Sequence, residues 1–372
     1  MVPPSDAPPL TGTRVIDLSS YYPGPLCAAV LAELGADVIK VERPGAGDPG
    51  RTATPGAYHA LNRDKQVMQL DLKDPVGQAA LTDLTDEADV VVQAFRAGTA
   101  EKMGAGAARL RARNPRLVYC AINGFGSVSA AAAHDLDVSA RTGLLWMSGD
   151  AEREPDRSGA VPHADVAAAT YAVHGILAAL LRRERTGIGA TLEVPMAAAA
   201  LKLVEPRLAD HAAAGSPPRA EFLRRPAYGA FRAGDGRRLA LACVTDSDWS
   251  RLMQVTSCAE LADDPRLGSA DERFAHAAGI RTALSAAFAT RSAVDWARSL
   301  EEAGVPVALV SSPDDLAQDP VISALGVLQP AMPGSPVRVR FPVLGLGLVG
   351  STGEDTAAMR VGWRDARPAV GA

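Results

Sequence analysis

The sequence predicts an α/β protein: an open, Rossmann-like large domain followed by a smaller α+β domain. Three observations carry that expectation. In the first half, short β-branched runs alternate with helix-length segments at the spacing of βαβ units. A Pro/Gly-rich break, Gly215-Ser216-Pro217-Pro218-Arg219, then separates this half from a region of different texture. The 372 residues are enough for two cores rather than one.

Arg14-Val15-Ile16-Asp17-Leu18 reads as the first strand, and Pro25 to Leu34 as a helix that Gly35 stops. Asp37 to Glu42 is the second strand, completing a βαβ unit. Next come strand-like Gln66 to Leu72, an amphipathic helix from Gly77 to Glu87, and a strand from Asp89 to Ala94. A helix over Thr99 to Arg111 and a strand over Arg116 to Ile122 follow. Asp165 to Arg185 is one long helix ended by Thr186-Gly187-Ile188-Gly189. Thr191 to Val194 reads as a strand and Met196 to Ala213 as a helix. Past the break, Tyr228 to Arg232 and Arg238 to Val244 flank Gly234-Asp235-Gly236 as a hairpin. Helical patterns near 246–255, 271–288 and 292–303 precede a strand at Val305 to Val310. The expected division is a large domain over 1–212, a linker over 213–222, and a small domain over 223–320. A tail over 321–372 returns to the large domain.

Composition narrows the function classes. Hydrophobic residues are 47% and charged residues 22%, the balance of a folded soluble chain. A net charge of −5 gives no support for general binding to nucleic acid or anionic membranes. Cys27, Cys120, Cys243 and Cys258 form no CxxC pair, which argues against a zinc site or disulfide framework and fits the cytoplasm. Met1 to Leu10 lacks the apolar core of a signal peptide. The longest apolar run, Val166 to Leu181, falls short of the roughly 20 residues of a membrane span and reads as a buried helix.

The chain has no GxxxxGK[ST], and its first strand-to-helix turn, Ser19 to Pro25, is not GxGxxG. That argues against a P-loop NTPase or a nicotinamide enzyme. Asp165, in Pro162-His163-Ala164-Asp165-Val166, opens the long helix. Two readings are compatible there: an N-cap for the free amides, or a carboxylate held at a positive helix terminus for a reactant. His134, in Ala133-His134-Asp135, follows the Asn123-Gly124-Phe125-Gly126 exit of a strand, where ligands gather in such sheets. His59, His163, His174, His211 and His276 take the ordinary structural reading, and no histidine pair has metal-ligand spacing.

Ordered motifs run along almost the whole chain. Leu10-Thr11-Gly12-Thr13-Arg14-Val15-Ile16-Asp17-Leu18-Ser19 leads to Pro23-Gly24-Pro25 and Leu31-Ala32-Glu33-Leu34-Gly35-Ala36-Asp37-Val38-Ile39-Lys40-Val41-Glu42-Arg43-Pro44. Asn62-Arg63-Asp64-Lys65, Leu70-Asp71-Leu72-Lys73, Phe95-Arg96-Ala97-Gly98, Asn114-Pro115-Arg116-Leu117-Val118-Tyr119 and Gly124-Phe125-Gly126 follow. Ala303-Gly304-Val305-Pro306-Val307 and Asp319-Pro320 continue the string. This string resembles the family III CoA-transferases (the CaiB/BaiF group), which include carnitine CoA-transferase-like proteins and α-methylacyl-CoA racemase.

The resemblance implies a large α/β domain, a small domain and an interlocked homodimer. It implies coenzyme A as part of an acyl-CoA substrate, with no prosthetic group and no metal. Arg43, Leu70 and Lys73 fall where the family binds the nucleotide portion, Arg96 falls near the pantetheine, and Gly124 stands at the site. Fixed cations suit phosphates, which gives Arg43, Lys73 and Arg96 their physical sense.

Asp165 aligns with a carboxylate that attacks the thioester in the transferases and moves protons in the racemases. His134 aligns with the racemase histidine, where transferases usually carry an aromatic residue. The His134/Asp165 pair, the chain length and the missing glycine-rich loop before the hairpin place racemisation of a 2-methylacyl-CoA first. CoA transfer through an aspartyl mixed anhydride is the alternative, and an inactive CoA-binding homologue the alternative of a different class. The racemase glutamate aligns with Thr245, which leaves Thr245 or the adjacent Asp246 as the candidate partner of His134.

Overall fold

The computed structural model describes residues 7–148, 160–214, 225–330 and 337–339. They form two compact units. The first takes in described residues up to Leu145, those from 160 to Val204, and those from Leu325 onward. The second takes in 146–148 and the described residues from Glu205 to Ala324.

The first unit begins with β1 (Arg14–Asp17), α1 (Pro23–Glu33) and β2 (Asp37–Glu42). Then come α2 (Gly50–Ala53), α3 (Pro55–Asn62), β3 (Gln66–Gln69), α4 (Pro75–Asp86) and β4 (Val90–Gln93). The next elements are α5 (Thr99–Lys102), α6 (Ala107–Arg113), β5 (Val118–Asn123), α7 (Asp135–Arg141) and α8 (Leu144–Ser148). The series ends with α9 (His163–Thr186), β6 (Thr191–Pro195) and α10 (Met196–Ala214); α8 from Trp146 and α10 from Glu205 count with the second unit. The six strands make one parallel sheet in the order β3-β2-β1-β4-β5-β6.

Strand side chains alternate between faces, and the two faces feed separate cores. Val15, Val38, Val90, Val92, Val118 and Cys120 point into one core, with Leu31 of α1 and Ile176 of α9. Ile16, Ile39, Val91 and Tyr119 point into the other, with Leu81 and Leu84 of α4 and Leu110 of α6. With both faces covered, every βα loop is driven to a sheet edge. Because all the strands are parallel, the β1, β2, β3, β4 and β5 exits share one edge.

Two expectations need correction here. The helix expected over 99–111 is two short helices, because Gly104 takes a φ of +68° between them. The long helix runs from His163 to Thr186, beyond the apolar run at both ends. By length and composition α9 is long enough to cross a membrane, and half of its most apolar stretch is buried inside the protein.

The second unit holds β7 (Tyr228–Arg232) and β8 (Arg238–Ala242), the expected hairpin. It continues with α11 (Asp246–Thr256), α12 (Ala259–Ala262), α13 (Ala270–Ala275), α14 (Ala277–Phe288), α15 (Ala293–Glu302), β9 (Val307–Leu309) and α16 (Pro320–Ala324). The antiparallel sheet β7-β8-β9 turns Phe231, Leu239 and Leu241 onto Leu252, Leu284, Phe288 and Trp296. The single helix expected over 271–288 breaks at His276, which ends α13 and precedes α14. Pro206, whose ring nitrogen cannot donate to the preceding turn, sits in α10 next to the division between units. Most of the expected linker and of the tail after 330 lies outside the described residues. From that tail, β10 (Leu328–Pro330) pairs antiparallel with β11 (Val337–Val339).

Candidate active site

Strand β1 pairs with β2 on one side and with β4 on the other, so the chain reverses its direction of winding at β1. The crevice outside the carboxyl ends at such a switch point is where open α/β sheets place ligands. Ser19 to Tyr22 leave β1 there.

Buried charge holds that turn from below. Lys65 donates from Nζ to Asp17 Oδ2 at 2.9 Å, to Asn62 Oδ1 at 2.9 Å and to the Pro25 carbonyl at 2.8 Å. Asp17 Oδ1 accepts from the Ser19 amide at 2.9 Å and from the Ser19 hydroxyl. Lys40 Nζ donates to the Ser19 carbonyl at 2.8 Å and pairs with Asp48 Oδ2 at 2.9 Å. Asp48 Oδ1 accepts from the amides of Gly50 and Tyr21, at 2.8 and 3.3 Å. Outside this layer, Glu42 receives Arg51 and the Tyr58 hydroxyl, which explains why the chain inserts α2 and α3 after β2. Gly24 is required by space: a Cβ there would stand 2.2 Å from the Ser19 Cβ.

The second wall comes from β5. Gly124 is likewise a close-approach position, with an added Cβ 2.2 Å from that of Ala133. His134 is exposed and stands immediately before α7, where its amide donates to Asp137 Oδ2 at 3.1 Å. The Tyr21 ring meets the His134 imidazole edge-on, with centroids 6.3 Å apart and planes at 89°.

Asp165 is the third residue of α9, not its cap, so the N-cap reading is corrected. The amides of Ala164 and Asp165 donate to Asp135 Oδ1, at 2.7 and 3.2 Å. Asp135 therefore does the capping from another helix, and the Asp165 carboxylate is not spent on it. Burial, reinforced by the Asp135 charge, pushes the Asp165 carboxyl up to about 7. Tyr22 joins the group: burial and then the carboxylates of Asp165 and Asp135 push its phenol up. Helices α1 and α9 pack together and both start at this edge, which places Tyr22 and Asp165 at one end of the pair.

The remaining expected residues divide into two sets. Arg43 follows β2 directly, Leu70 follows β3 directly, and Lys73 and Arg96 come three or four residues beyond β3 and β4. All four lie on loops of the edge that carries Tyr21 and His134. The side chains of Arg43, Lys73 and Arg96 are exposed, and Arg43 Nε donates to the Gly47 carbonyl at 3.1 Å. Thr245 and Asp246 belong to the second unit and are engaged in local structure. Thr245 caps α11 by accepting from the Asp248 amide at 3.1 Å, while Asp248 Oδ2 receives the Thr245 amide at 3.0 Å. Asp246 is paired with Arg273.

Sequence reasoning missed Tyr21, Tyr22 and Asp135 and the Asp17–Lys40–Asp48–Lys65 layer. One signal was available: Lys40 stands in the otherwise apolar strand pattern Asp37-Val38-Ile39-Lys40-Val41, where an unpaired charge would be costly.

Comparison with known proteins agrees with this architecture. Residues 10–364 match CoA-transferase family III, and the chain belongs to that family. It is 32% identical over 350 residues to acetyl-CoA:oxalate CoA-transferase from Acetobacter aceti, spanning 89% of this chain and 89% of the relative. It is 33% identical over 343 residues to succinyl-CoA:mesaconate CoA-transferase from Haloarcula hispanica, spanning 84% and 83% of the two chains. The crystal structure of a CaiB/BaiF family protein from Brucella suis superposes with a TM-score of 0.82 at 29% identity, covering 91% of this chain and 92% of that one.

Proposed function

We propose that this protein transfers coenzyme A between carboxylic acids, with Asp165 as the nucleophile. The observation that carries the reading is the division of labour at α9. Asp135 satisfies the helix amides, so the Asp165 carboxylate stands at the positive terminus without a structural duty. Sequence reasoning ranked racemisation first; the relatives reported above bear CoA-transferase names, and transfer now takes that rank. The local duties of Thr245 and Asp246 also count against either as the partner that a racemase histidine needs.

In the proposed reaction an Asp165 oxygen attacks the thioester carbonyl, the C–S bond breaks, and CoA thiolate leaves a mixed anhydride on the aspartate. The thiolate then attacks the aspartyl carbonyl and expels the first acid as a free carboxylate. The second acid's carboxylate attacks the resulting aspartyl thioester and again releases the thiolate. The thiolate takes the new acyl group and restores the Asp165 carboxylate. Every step starts from an anion, so the carboxylate must be unprotonated at the outset. Hydroxylamine added with acyl-CoA should trap the acylated or CoA-bearing aspartate. Exchange of the α-proton of a 2-methylacyl-CoA with heavy water, in the absence of any such adduct, would return racemisation to first place.

Arg43, Leu70, Lys73, Arg96 and Gly124 are proposed to line the CoA path, by their common sheet edge and exposed cations. Arg43→Ala and Lys73→Ala should each raise the KM for acyl-CoA about five- to tenfold with kcat nearly unchanged, because contacts far from the reacting carbon act equally in ground and transition states. Steady-state kinetics with a full acyl-CoA and an acyl-pantetheine would check this. A normal KM with depressed kcat would remove both residues from the path.

Self-association is proposed on a separate observation. Tyr171 and Leu181 on α9 and Leu201 and Leu203 on α10 are each at least 39% exposed. Apolar side chains on long helices that otherwise bury their faces call for a partner surface. Sedimentation velocity at micromolar concentration should show a dimer, and Leu201→Glu with Leu203→Glu should dissociate it. A monomeric wild type would refute the proposal.

A further inference from the structure

Tyr21 takes a φ of +66°, in the left-handed region that a bulky side chain enters only with steric strain. Packing does not repay that cost, because the side chain is 50% exposed. Strain held in place without local benefit marks a conformation that serves something else. Two buried groups maintain it. Asp48 bonds the Tyr21 amide itself, and Lys40 both pairs with Asp48 and bonds the Ser19 carbonyl two residues earlier. The side chains of Lys40 and Asp48 are 0% and 1% exposed, so their geometry is fixed by the core. What the conformation achieves is the placing of the ring against the exposed His134 imidazole.

We propose that Lys40 and Asp48 are positioning residues: they hold Tyr21 in its left-handed conformation so that its ring stands beside His134 at the mouth of the acyl-CoA site. The last clause rests on the function proposed above; the positioning itself does not. If the layer served stability alone, disturbing it would lower stability and leave the Tyr21–His134 contact in the folded protein unchanged.

Lys40→Met would leave two buried carboxylates short of a cation and can fail to fold. Asp48→Asn is therefore the primary variant, since it keeps an acceptor for the Tyr21 and Gly50 amides and replaces the charged oxygen facing Lys40 with an uncharged NH2. Tyr21→Gly is its complement, since glycine adopts the conformation without strain but has no ring. The first readout is the imidazole proton resonance of His134, assigned by its loss in His134→Gln, which senses the Tyr21 ring. Asp48→Asn and Tyr21→Gly should shift it in the same direction. Leu110→Ala, which weakens the same unit through its core, should not shift it. The second readout is kcat/KM for transfer. Each variant should lower it at least tenfold, and the double variant should be no worse than the poorer single, because both act on one geometry. An unmoved resonance in Asp48→Asn, or additive kinetic losses, would overturn the proposal. Should the wild type transfer no CoA, the functional reading fails, and the resonance alone decides the positioning.

Discussion

Asp165→Ala is expected to lower CoA transfer by at least about a hundredfold, the loss that follows if Asp165 is the nucleophile proposed above. CoA affinity should change little, and hydroxylamine should trap no adduct. Because Asp135 does the capping, stability should not fall with activity. Asp165→Asn sharpens the point. The folded carboxyl is raised to about 7 by burial and by Asp135, against an ordinary value of 3.8. Between those values the folded chain keeps a proton that the unfolded chain has released, so stability falls as pH rises from about 4 to about 7, by roughly 2–4 kcal/mol. The asparagine variant escapes that loss. It should melt several degrees above wild type at pH 8, show no gain at pH 4, and be inactive at both. Wild-type activity should rise with pH through about 7, as the nucleophile ionises. Near-normal turnover of Asp165→Ala, measured on purified soluble protein, would dismiss the aspartate as nucleophile.

Local patterns carry the part of the fold that sequence reveals. Val15-Ile16 and Val38-Ile39 alternate between two cores, and Gly35 ends the helix between them with a φ of +100°. Asp165 and His134 stood out as candidates because each is polar, next to a boundary, and on a loop or helix start of the edge where β1 ends. Asp135 was not. Its role depends on a contact across 29 residues, from α7 to the first amides of α9, and in sequence it is only the neighbour of a histidine. The α2–α3 insertion was invisible for a related reason. Gly50 to Asn62 is broken into helices of only 4 and 8 residues, and its place is set by what it brings to Glu42 and Lys65: Arg51, Tyr58 and Asn62. Periodicity finds surfaces that face an apolar core, whereas this segment covers a polar one.

That polar core underlies the second large effect. Lys65→Met should cost about 3–5 kcal/mol, the range for stranding one member of a buried ion pair. The lysine satisfies Asp17, Asn62 and the Pro25 carbonyl at once, and its loss leaves Asp17 with Lys40 only at 3.9 Å. Lys65→Arg should not rescue it, because three acceptors gathered round a point suit an ammonium and not a planar fork. Asp17→Asn combined with Lys65→Met should recover part of the loss by removing the stranded charge. The pH dependence has a definite sign. Burial pushes the Asp17 carboxyl up, but Lys65, Lys40 and the Ser19 hydroxyl together hold it below 3.8. Its contribution is therefore present above pH 3.8 and is lost as pH falls through the folded value, so wild type and Lys65→Met should converge in stability only in acid. Urea titrations at pH 7 and pH 3 would measure both differences. A Lys65→Met midpoint within about 1 kcal/mol of wild type at pH 7 would mean that the layer beneath the β1–α1 turn is hydrated and carries little of the fold.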